Sequence, residues 1–413
     1  MLKIHSSKSR SVLISGASIA GPTLAYWLDR YGFDVTVVER ADTLRSGGYP
    51  VDIRGTAIDV VQRMGVISQL RAAHVDTRRL RFVDGGGTTI ATVTPEGVSG
   101  GVADHDIELP RGKLTSVLYD LTLAAAVRYR FGDAIGTLVD DGAGVDVRFK
   151  SGAEQRFDIV IGADGIHSNT RALVFGPEAL FSRYLGFCFN LFSVPNDAGL
   201  SHEAVIHAEP GRVAGVYAVG DSDRLQAFLN FAIDTPPAHS PQDEGSQRRL
   251  TADLFNGRGR IFSRFVEAMQ QADDLFFDTV SQIHMPRWSS GRVALVGDAA
   301  HAPSFLSGQG TSLALVGAYV LAGELAAHAD PADAFAGYER ITRPFMEANQ
   351  ALALRKGGSL LMPRTQEELD ARNAALAEMQ ASGQTPRGEH ARTVHKALSL
   401  PDYTRGPHEE SGS

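Results

Sequence analysis

Apolar runs and helical periodicity alternate over the first part of the chain. "SVLISG" is an apolar run typical of a buried strand, "IAGPTLAYWLDRYG" carries apolar residues at helical spacing, and "DVTVVER" is a second apolar run. Gly32 lies where a helix commonly ends, directly before the second run. The pattern predicts a parallel strand, helix, strand unit at the start of an α/β fold.

The next segments mix helical periodicity with hairpin signals. Helices are predicted over 56–65 and, after Pro110, over "LTSVLYDLTLAAAVRY". Two strands around an Asp-Gly turn are predicted for "LRFVDGGGTTIATVTP". The segment "VDVRFKSGAEQRFDIVIG" predicts a hairpin that turns at 151–152 and whose second strand ends at Gly162.

From about residue 180 the pattern changes to strands with alternating aromatic residues. "FCFNLFSV", "RVAGVYAVGD" and "LQAFLNFAI" predict a second, mostly antiparallel sheet that is inserted in the first domain. After residue 297 the chain reads as helical to about 357, with a further helix over 366–380 and a partly disordered tail. The predicted domains are 1–75, 110–178 and 284–360 for the first, 76–109 and 179–283 for the second, and 361–413 for a C-terminal helix and flexible tail.

Composition narrows the range of partners and compartments. The 413 residues carry a formal net charge of −8, which argues against a nucleic-acid partner, because phosphate binding requires clusters of Lys and Arg. Cys188 is the single cysteine and the chain starts without a signal segment, so we expect a cytoplasmic protein without disulfides. The most apolar helix, Leu313–Ala327, is too short for a bilayer and is expected in the core, and Asp104–Asp106 has no partner cluster for a metal.

A glycine loop follows the first strand and opens the first helix. "GASIAG", residues 16–21, stands where dinucleotide folds place their phosphate-binding turn, with Ser18 at the middle glycine position. Glu39 ends the second strand, where an acid accepts hydrogen bonds from adenosine ribose hydroxyls, so FAD or NAD fits better than NADP. The loop also resembles a nucleophile elbow, but a hydrolase places several strands before its serine.

Two further motifs place acids at the ends of apolar runs. "DIVIGADGIHSNTR" puts Asp164 at the end of a strand and is followed by Ser168 and Arg171. "GRVALVGDAAHAPSFLSGQG" puts Asp298 directly after another apolar run, and a glycine cluster follows at 308–310. Glycines bring bare backbone close to a flat ligand, because a Cβ would hold the chain off its surface.

The three motifs, in this order over about residues 11–350, resemble those of the class A flavoprotein monooxygenases, the family of para-hydroxybenzoate hydroxylase. "GASIAGPTLAYWLDRYGFDVTVVER" and "GGYPVDIRG" are most similar to the tetracycline-inactivating and polyketide-tailoring single-chain members. The resemblance implies a Rossmann-like FAD-binding domain of the glutathione-reductase type with an inserted substrate sheet and C-terminal helices. It further implies FAD, NADPH or NADH as transient reductant, and hydroxylation of an aromatic or polyketide-like small molecule through a flavin C4a-hydroperoxide.

The resemblance also assigns residues to the cofactor. It implies FAD contacts from Gly16, Ser18, Ala20, Gly21, Glu39, Arg40, Asp52, Arg111, Asp164, Gly297, Asp298, Gly308, Gln309, Gly310 and Thr311. Among these, Asp298 is expected to accept hydrogen bonds from the ribityl chain, and Arg45 matches a position tied to the nicotinamide cofactor. Thr311 departs from the family's pattern, in which many members have Asn after GQG, and Gly317 stands where many have an acid or Asn.

The substrate side is less determined by the sequence. An aromatic cleft wall is expected from Phe187, Phe189, Tyr217 and Phe228, with Phe192 and Phe231 as further candidates that could equally pack in a core. No catalytic acid or base stands out, because the flavin carries the difficult chemistry. A reductase or dehydrogenase on the same fold, as in isoprenoid reductases, and a non-catalytic FAD-binding protein remain alternatives, and the oligomeric state is left open.

Overall fold

The computed structural model describes residues 9–44, 49–96, 105–237, 243–354, 361–382 and 388–403. Its strands are β1 (Ser11–Ser15), β2 (Asp34–Glu39), β3 (Pro50–Ile53), β4 (Arg79–Val83), β5 (Thr89–Val93), β6 (Ile107–Pro110), β7 (Arg128–Phe131), β8 (Ile135–Asp140), β9 (Val145–Phe149), β10 (Glu154–Phe157), β11 (Ile159–Gly162), β12 (Ser182–Pro195), β13 (Glu203–Glu209), β14 (Arg212–Ala218), β15 (Arg224–Ala232), β16 (Phe276–Ile283), β17 (Ser289–Ser290) and β18 (Val293–Leu295).

Its helices are α1 (Ala20–Arg30), α2 (Thr56–Arg63), α3 (Ile67–Ala72), α4 (Arg111–Leu123), α5 (Asn169–Phe175), α6 (Glu244–Phe255), α7 (Arg260–Gln271), α8 (Asp298–His301), α9 (Gly310–Ala327), α10 (Pro331–Leu354), α11 (Gln366–Ser382) and α12 (Gly388–His395). Short 3-10 turns lie at Glu178–Leu180 and Phe305–Ser307. The predicted α/β architecture with an inserted, mostly antiparallel sheet is confirmed.

The first large sheet has six strands, in the order β17-β18-β11-β1-β2-β7. All neighbours pair in parallel except β17 and β18, so the first βαβ unit is as the sequence predicts. Residues of β1 alternate between two cores. Val12 and Ile14 pack with the helices, whereas Leu13 packs with the three-stranded sheet β8-β9-β10. The parallel strands are therefore covered on both faces, as such strands require.

Two sequence predictions are wrong in detail. The predicted hairpin does turn at 151–152, but its second strand breaks at Asp158, and β11 then joins the six-stranded sheet. Asp158 holds this break because its carboxylate accepts hydrogen bonds from the backbone N–H and the hydroxyl of Ser11, each at 2.7 Å. The helix after Pro110 ends at Leu123, earlier than predicted, and the residues that follow form the edge strand β7.

The second sheet has seven strands in the order β16-β12-β15-β14-β13-β4-β5 and is antiparallel except between β13 and β4. Helices α6 and α7 cover one of its faces, where Phe255 and Phe262 pack on Phe192 and Phe231. The opposite face, which carries Phe187, Phe189, Tyr217 and Phe228, is here called the pocket face. The assignment of whole segments to domains stays a prediction.

Helix α9 runs through the hydrophobic core that packs against the six-stranded sheet. It is long and apolar enough to cross a membrane by length and composition, but 83% of it is buried inside the protein. Its residues from Leu313 to Leu325 belong to the main hydrophobic core. This burial agrees with the prediction of a core helix.

Residues 388–403, here called the C-terminal segment, belong to the stretch predicted to be partly disordered, and they pack on the core. The segment crosses α2 and α9, where Thr56 donates a hydrogen bond to the carbonyl of Leu398 at 2.8 Å. The hydroxyl of Tyr403 donates to the carboxylate of Glu324 at 2.6 Å. Polar composition suggested disorder, but these long-range contacts fix the segment on the core.

The contact between Tyr403 and Gly323 gives a stability prediction. A Cβ at position 323 would lie 2.1 Å from the Tyr403 ring, so Gly323→Ala is expected to displace the C-terminal segment and cost about 1–3 kcal/mol, as overpacking does. In a Tyr403→Ala background the same change should be neutral or stabilising, because alanine favours a helix by about 1 kcal/mol over glycine. Urea unfolding of the four proteins measures this coupling. Equal costs of Gly323→Ala in both backgrounds would contradict the predicted contact.

Candidate active site

The three glycine and acid motifs meet at one end of the six-stranded sheet. Gly16 has a φ of +109°, and a Cβ there would lie 2.5 Å from the carbonyl oxygen of Ala163. Ala163 belongs to the turn of residues 163–168 after β11, here called the DG segment. A Cβ at Gly297 would lie 3.1 Å from the Cβ of Ala20, at the start of α1. The carboxyl ends of parallel strands are where ligands bind in open α/β sheets. Close approach explains why both positions hold glycine, to backbone atoms of Ala163 at Gly16 and to the Cβ of Ala20 at Gly297.

The loop between β1 and α1 is held by side chains from both neighbouring elements. The carboxylate of Glu39 accepts hydrogen bonds from the backbone N–H of Ala17 at 2.9 Å and of Ala41 at 3.0 Å. Arg111, the first residue of α4, donates to the hydroxyl of Ser18 at 3.0 Å. The first turn of α1 has no side-chain cap, so its N–H groups are available to an anion such as a pyrophosphate.

The carboxylate of Asp164, in the DG segment, accepts hydrogen bonds from other residues of the chain. Its carboxylate accepts hydrogen bonds from the backbone N–H of Thr170 at 2.9 Å and from the Thr170 hydroxyl at 2.8 Å. The hydroxyl of Ser168 also donates to Asp164, and Ser168 caps α5 by accepting from the N–H of Arg171. Asp164 therefore orders the turn after β11, and the structure shows this role for its side chain.

Asp298 lies at the carboxyl end of the six-stranded sheet and is exposed. It begins α8 directly after Gly297, whose φ is +66°. The side chain is accessible from one side, yet the surrounding protein raises the pKa of its carboxyl by desolvation, an effect that the nearby Arg111 guanidinium opposes. Within the described part of the chain, its oxygens accept no hydrogen bond. A carboxylate in this setting is suited to hydroxyl donors from a ligand.

Bare backbone follows in the loop that leads into α9. Gly308 is left-handed with a φ of +63°, and a Cβ there would lie 3.4 Å from a guanidinium nitrogen of Arg54. A Cβ at Gly310 would lie 3.7 Å from Oδ1 of Asp298. Gln309 is fully buried, and its Oε1 has no hydrogen-bond partner in the described residues. The loop thus combines a smooth backbone surface with an unsatisfied acceptor.

Strands β3 and β6 form a two-stranded ribbon beside this loop, here called the acidic ribbon. Strands β3 and β6 pair antiparallel and place Asp52 directly opposite Glu108, while their neighbours Val51 and Leu109 pack in the core. Asp52 forms an ion pair with Arg54 at 2.8 Å. Asp52 was predicted at the cofactor, whereas Arg54 and Glu108 were missed. The apolar, acid, apolar alternation in "PVDI" and "IELP" was the available signal.

Aromatic rings connect the pocket face to the loop before α9. The ring centroid of Phe189 lies 4.9 Å from that of Phe305, 5.6 Å from that of Phe276 and 6.5 Å from that of Tyr49. The ring of Phe228 lies over Gly215, where a Cβ would lie 2.4 Å away. The four predicted pocket aromatics share this face of the sheet. The further candidates Phe192 and Phe231 lie on the opposite face, in the core under α6 and α7.

Comparison with known proteins identifies the group to which this arrangement belongs. The family profile described as "FAD binding domain" matches residues 9–352. The chain belongs to this family of FAD-dependent monooxygenases. It is 38% identical over 402 residues to a flavin-dependent monooxygenase from an unknown prokaryotic organism, covering 96% of this chain and 99% of the relative. It is also 44% identical over 350 residues to an uncharacterized protein of Mycobacterium tuberculosis, covering 83% of this chain and 92% of that one.

A solved structure agrees with this monooxygenase family. The crystal structure of the tetracycline destructase Tet(55) superposes with a TM-score of 0.81 at 35% sequence identity, covering 96% of this chain and 99% of that one. The predicted recognition of the family and its fold is confirmed, as is FAD as the cofactor. The residues of the site fit FAD, because the uncapped α1 start, the acceptors of Asp298 and Gln309 and the two glycines of the loop, Gly308 and Gly310, lie together at one end of the sheet.

Two candidate residues of this monooxygenase, Arg45 and Asp104, lie outside the described residues. Arg40 is described and is exposed. His301 is buried beside Trp288, with ring centroids 4.9 Å apart, and burial lowers its pKa to about 3, which fits a structural role. Among the described residues no group of histidine, cysteine and acidic side chains could hold a metal ion.

His167 links the DG segment of the monooxygenase to the second sheet. Its ring nitrogens lie 3.0 Å from Glu178 and 3.3 Å from Asp278 of β16, and these two hydrogen bonds raise its pKa to about 10. A raised histidine pKa stabilises the fold below its ordinary value of 6.5, and this contribution is lost as the pH rises through about 10.

We therefore expect His167→Gln to remove a pH dependence. Between pH 6.5 and about 10 the wild type should lose stability relative to the variant, because only the wild type releases this proton. Unfolding in urea at both ends of this range measures the difference. His328→Gln, a change of the same type at a half-exposed histidine elsewhere, serves as control. A constant difference between wild type and His167→Gln across the range would contradict the prediction.

Proposed function

We propose that this monooxygenase uses NADH or NADPH as reductant and hydroxylates a flat aromatic or polyketide-like small molecule. The observation that carries this proposal is the contact between aromatic rings of the pocket face and of the turn that precedes Gly308–Gly310. Phe189 of the sheet and Phe305 of the loop meet there at a centroid distance of 4.9 Å. An aromatic-lined cleft next to a cofactor is the common form of a site for flat apolar ligands.

The residues proposed to hold FAD divide by the part of the cofactor that they suit. The start of α1 with Glu39 suits the pyrophosphate and ribose, and Arg111 joins this end to Asp298. Asp298 suits the ribityl hydroxyls, and the Gly308–Gly310 backbone suits the flat ring. When bound, FAD supplies electron transfer from the reductant to oxygen.

The protein's own part is to bind, orient and shield. The pocket face positions an aromatic substrate against the loop of Gly308–Gly310, and the aromatic rings limit the access of water. The N-terminus of α9 starts at Gly310 without a side-chain cap, so its dipole would stabilise negative charge on a reduced ring. Thr311 in the first turn contributes one of these N–H groups.

The relatives support the class of substrate and partner proposed here. The tetracycline destructase of similar structure is named for a polycyclic polyketide, and its fold covers 96% of this chain. We propose that NADH or NADPH binds transiently, because the sequence has no second glycine-rich loop after a strand, and Arg45 stays a candidate for that contact. With one cysteine, which is buried, the chain suits the reducing cytoplasm.

Incorporation of oxygen into product tests the proposal. The FAD-loaded protein is incubated with NADH or NADPH, ¹⁸O₂ and a panel of polycyclic phenols, tetracycline included, and the products are weighed by mass spectrometry. We expect substrate-dependent NAD(P)H oxidation and a product that carries one ¹⁸O atom. Reduction of the flavin with transfer of electrons to quinones, but without ¹⁸O in any product, would favour the reductase alternative. Protein without FAD is the control.

A further inference from the structure

Glu108 lies next to the loop proposed to bind the flavin but has no part in the proposed binding of the cofactor. It lies on β6 directly opposite Asp52 of β3, on the side of the ribbon that faces away from the core. On the far side of the cleft, the Tyr217 hydroxyl of the pocket face interacts electrostatically with the Glu108 carboxyl. Asp52, in turn, lies beside Gly308. Glu108 is thus placed between the loop proposed to bind the flavin and the wall proposed to bind substrate.

Asp52 and Glu108 differ in whether a positive charge lies within ion-pair distance of them. Asp52 forms an ion pair with Arg54 at 2.8 Å, and Nε of Arg54 also lies 4.0 Å from Asp106. Within the described part of the chain, no cation lies within ion-pair distance of Glu108. The groups that face it are Asp52, Arg54, Thr77, Glu96 and Tyr217, and His74 contacts its backbone.

This environment increases the proton affinity of Glu108. Desolvation is the largest cause, the negative charge of Asp52 adds to it, and Arg54 and the Thr77 hydroxyl oppose it, so that the pKa rises to about 7. A carboxyl with a pKa near the working pH can both take and return a proton efficiently. Tyr217 is a weaker candidate, because burial raises its pKa well above its ordinary value.

We propose that Glu108 is the proton acceptor for an ionisable hydroxyl of the substrate, that of a phenol or an enol. The inference rests on the proposed function, because it assigns a substrate class to the same cleft. In this step the substrate O–H bond breaks and the proton passes to a carboxylate oxygen of Glu108. The electron pair stays on the substrate oxygen and delocalises into the ring, which becomes more reactive towards an electrophilic oxygen.

Two neighbours complete this arrangement. Arg54 provides a positive charge next to the ribbon, and its Nε is buried without a hydrogen bond to any described residue. Its positive charge lowers the pKa of both Asp52 and Glu108, so it favours negative charge in this part of the site. Asp52 cannot replace Glu108 as acceptor, because it already shares its charge with Arg54. Of the two acids, Glu108 is the one that forms no ion pair with a described cation.

The test measures where the hydroxyl proton of a bound phenol goes, without any turnover of substrate. FAD-loaded, oxidised protein is titrated with 2-naphthol, a flat phenol whose ionised form has its own absorption band, at a pH one unit above the pKa of Glu108. Absorbance reports how much bound naphthol is ionised. Calorimetry in two buffers of different ionisation enthalpy reports how many protons are released. For the wild type we expect bound naphtholate without proton release, because Glu108 retains the proton.

The variant Glu108→Gln keeps the shape of the protonated side chain but cannot accept a proton. It should form less naphtholate, and each naphtholate that forms should release one proton to the buffer. Glu96→Gln is the matched control, because it removes a nearby charge by the same change and should behave as the wild type. If Glu108→Gln does not fold, Glu108→Asp, which withdraws the carboxyl by one methylene, should lower the naphtholate fraction.

Three outcomes would overturn the inference. These are wild-type protein that does not bind naphthol or binds it un-ionised, equal proton release by wild type and Glu108→Gln, and naphtholate formation without proton release in Glu108→Gln. The experiment needs neither reductant nor oxygen. Its failure alongside successful ¹⁸O incorporation would therefore reject the role of Glu108 and leave the proposed function standing.

Discussion

Replacing Asp298 by alanine is expected to weaken FAD binding by about one to two orders of magnitude. The change removes an acceptor proposed to bind ribityl hydroxyls, and a hydrogen bond to a charged group contributes about 1.5–3 kcal/mol. Fluorescence titration of the apoprotein with FAD measures the dissociation constant. Asp333→Ala, at an exposed position of α10, is the control and should leave the affinity unchanged.

The same variant should not destabilise the apoprotein, and this separates a binding role from a structural one. Burial raises the pKa of Asp298, so its contribution to stability is present below its ordinary value of 3.8 and is lost as the pH rises. At neutral pH the ionised carboxyl therefore costs folding energy. We expect the apo variant to unfold at the same or a higher urea concentration than apo wild type. A lower midpoint with unchanged FAD affinity would show that Asp298 supports the fold only.

Gly16→Ala is expected to have the largest effect on folding. A Cβ there would lie 2.5 Å from the carbonyl oxygen of Ala163, a backbone atom that β11 holds in place, and φ is +109°. The left-handed backbone alone costs about 1–2 kcal/mol for a residue with a Cβ. The clash adds to this, so we expect a total loss above about 4 kcal/mol, or no folded protein.

Gly32→Ala provides a control for Gly16→Ala in the same βαβ unit. Gly32 also has a positive φ, +82°, but a Cβ there would meet no atom within 4 Å. It should therefore show only the backbone cost of about 1–2 kcal/mol. Soluble yield and urea unfolding compare the two variants. If they lose equal stability, the contact between the glycine loop and the DG segment is not the cause.

Features that depend on residues close together in the chain could be predicted from the sequence, whereas features that depend on distant residues could not. The βαβ unit, the glycine loop and the acids at strand ends are local, because a turn with positive φ or an uncapped helix start needs particular residues within a few positions. In the second sheet, β12, β14 and β15 were predicted from their alternation and β4 and β5 from the turn between them, whereas β13 and β16 were missed. The location of the cofactor site followed from the order of three local motifs and is a property of the family.

Features that depend on pairing between distant segments were missed or only partly predicted. The register of β3 and β6 decides that Glu108 faces Asp52, and no local pattern states which strands pair. The break at Asp158 arises because Ser11 of another strand binds its carboxylate.

The sequence by itself determined the fold class, which rests on local backbone requirements and apolar periodicity. Its three motifs resembled those of the family, and that resemblance implied FAD. Only the tertiary structure decided which aromatic residues pack under α6 and α7, since alternation along a strand defines two faces without saying which one these helices cover. It also decided the raised pKa of Glu108 and the position of the C-terminal segment. Both depend on burial, which is created when distant parts of the chain pack together.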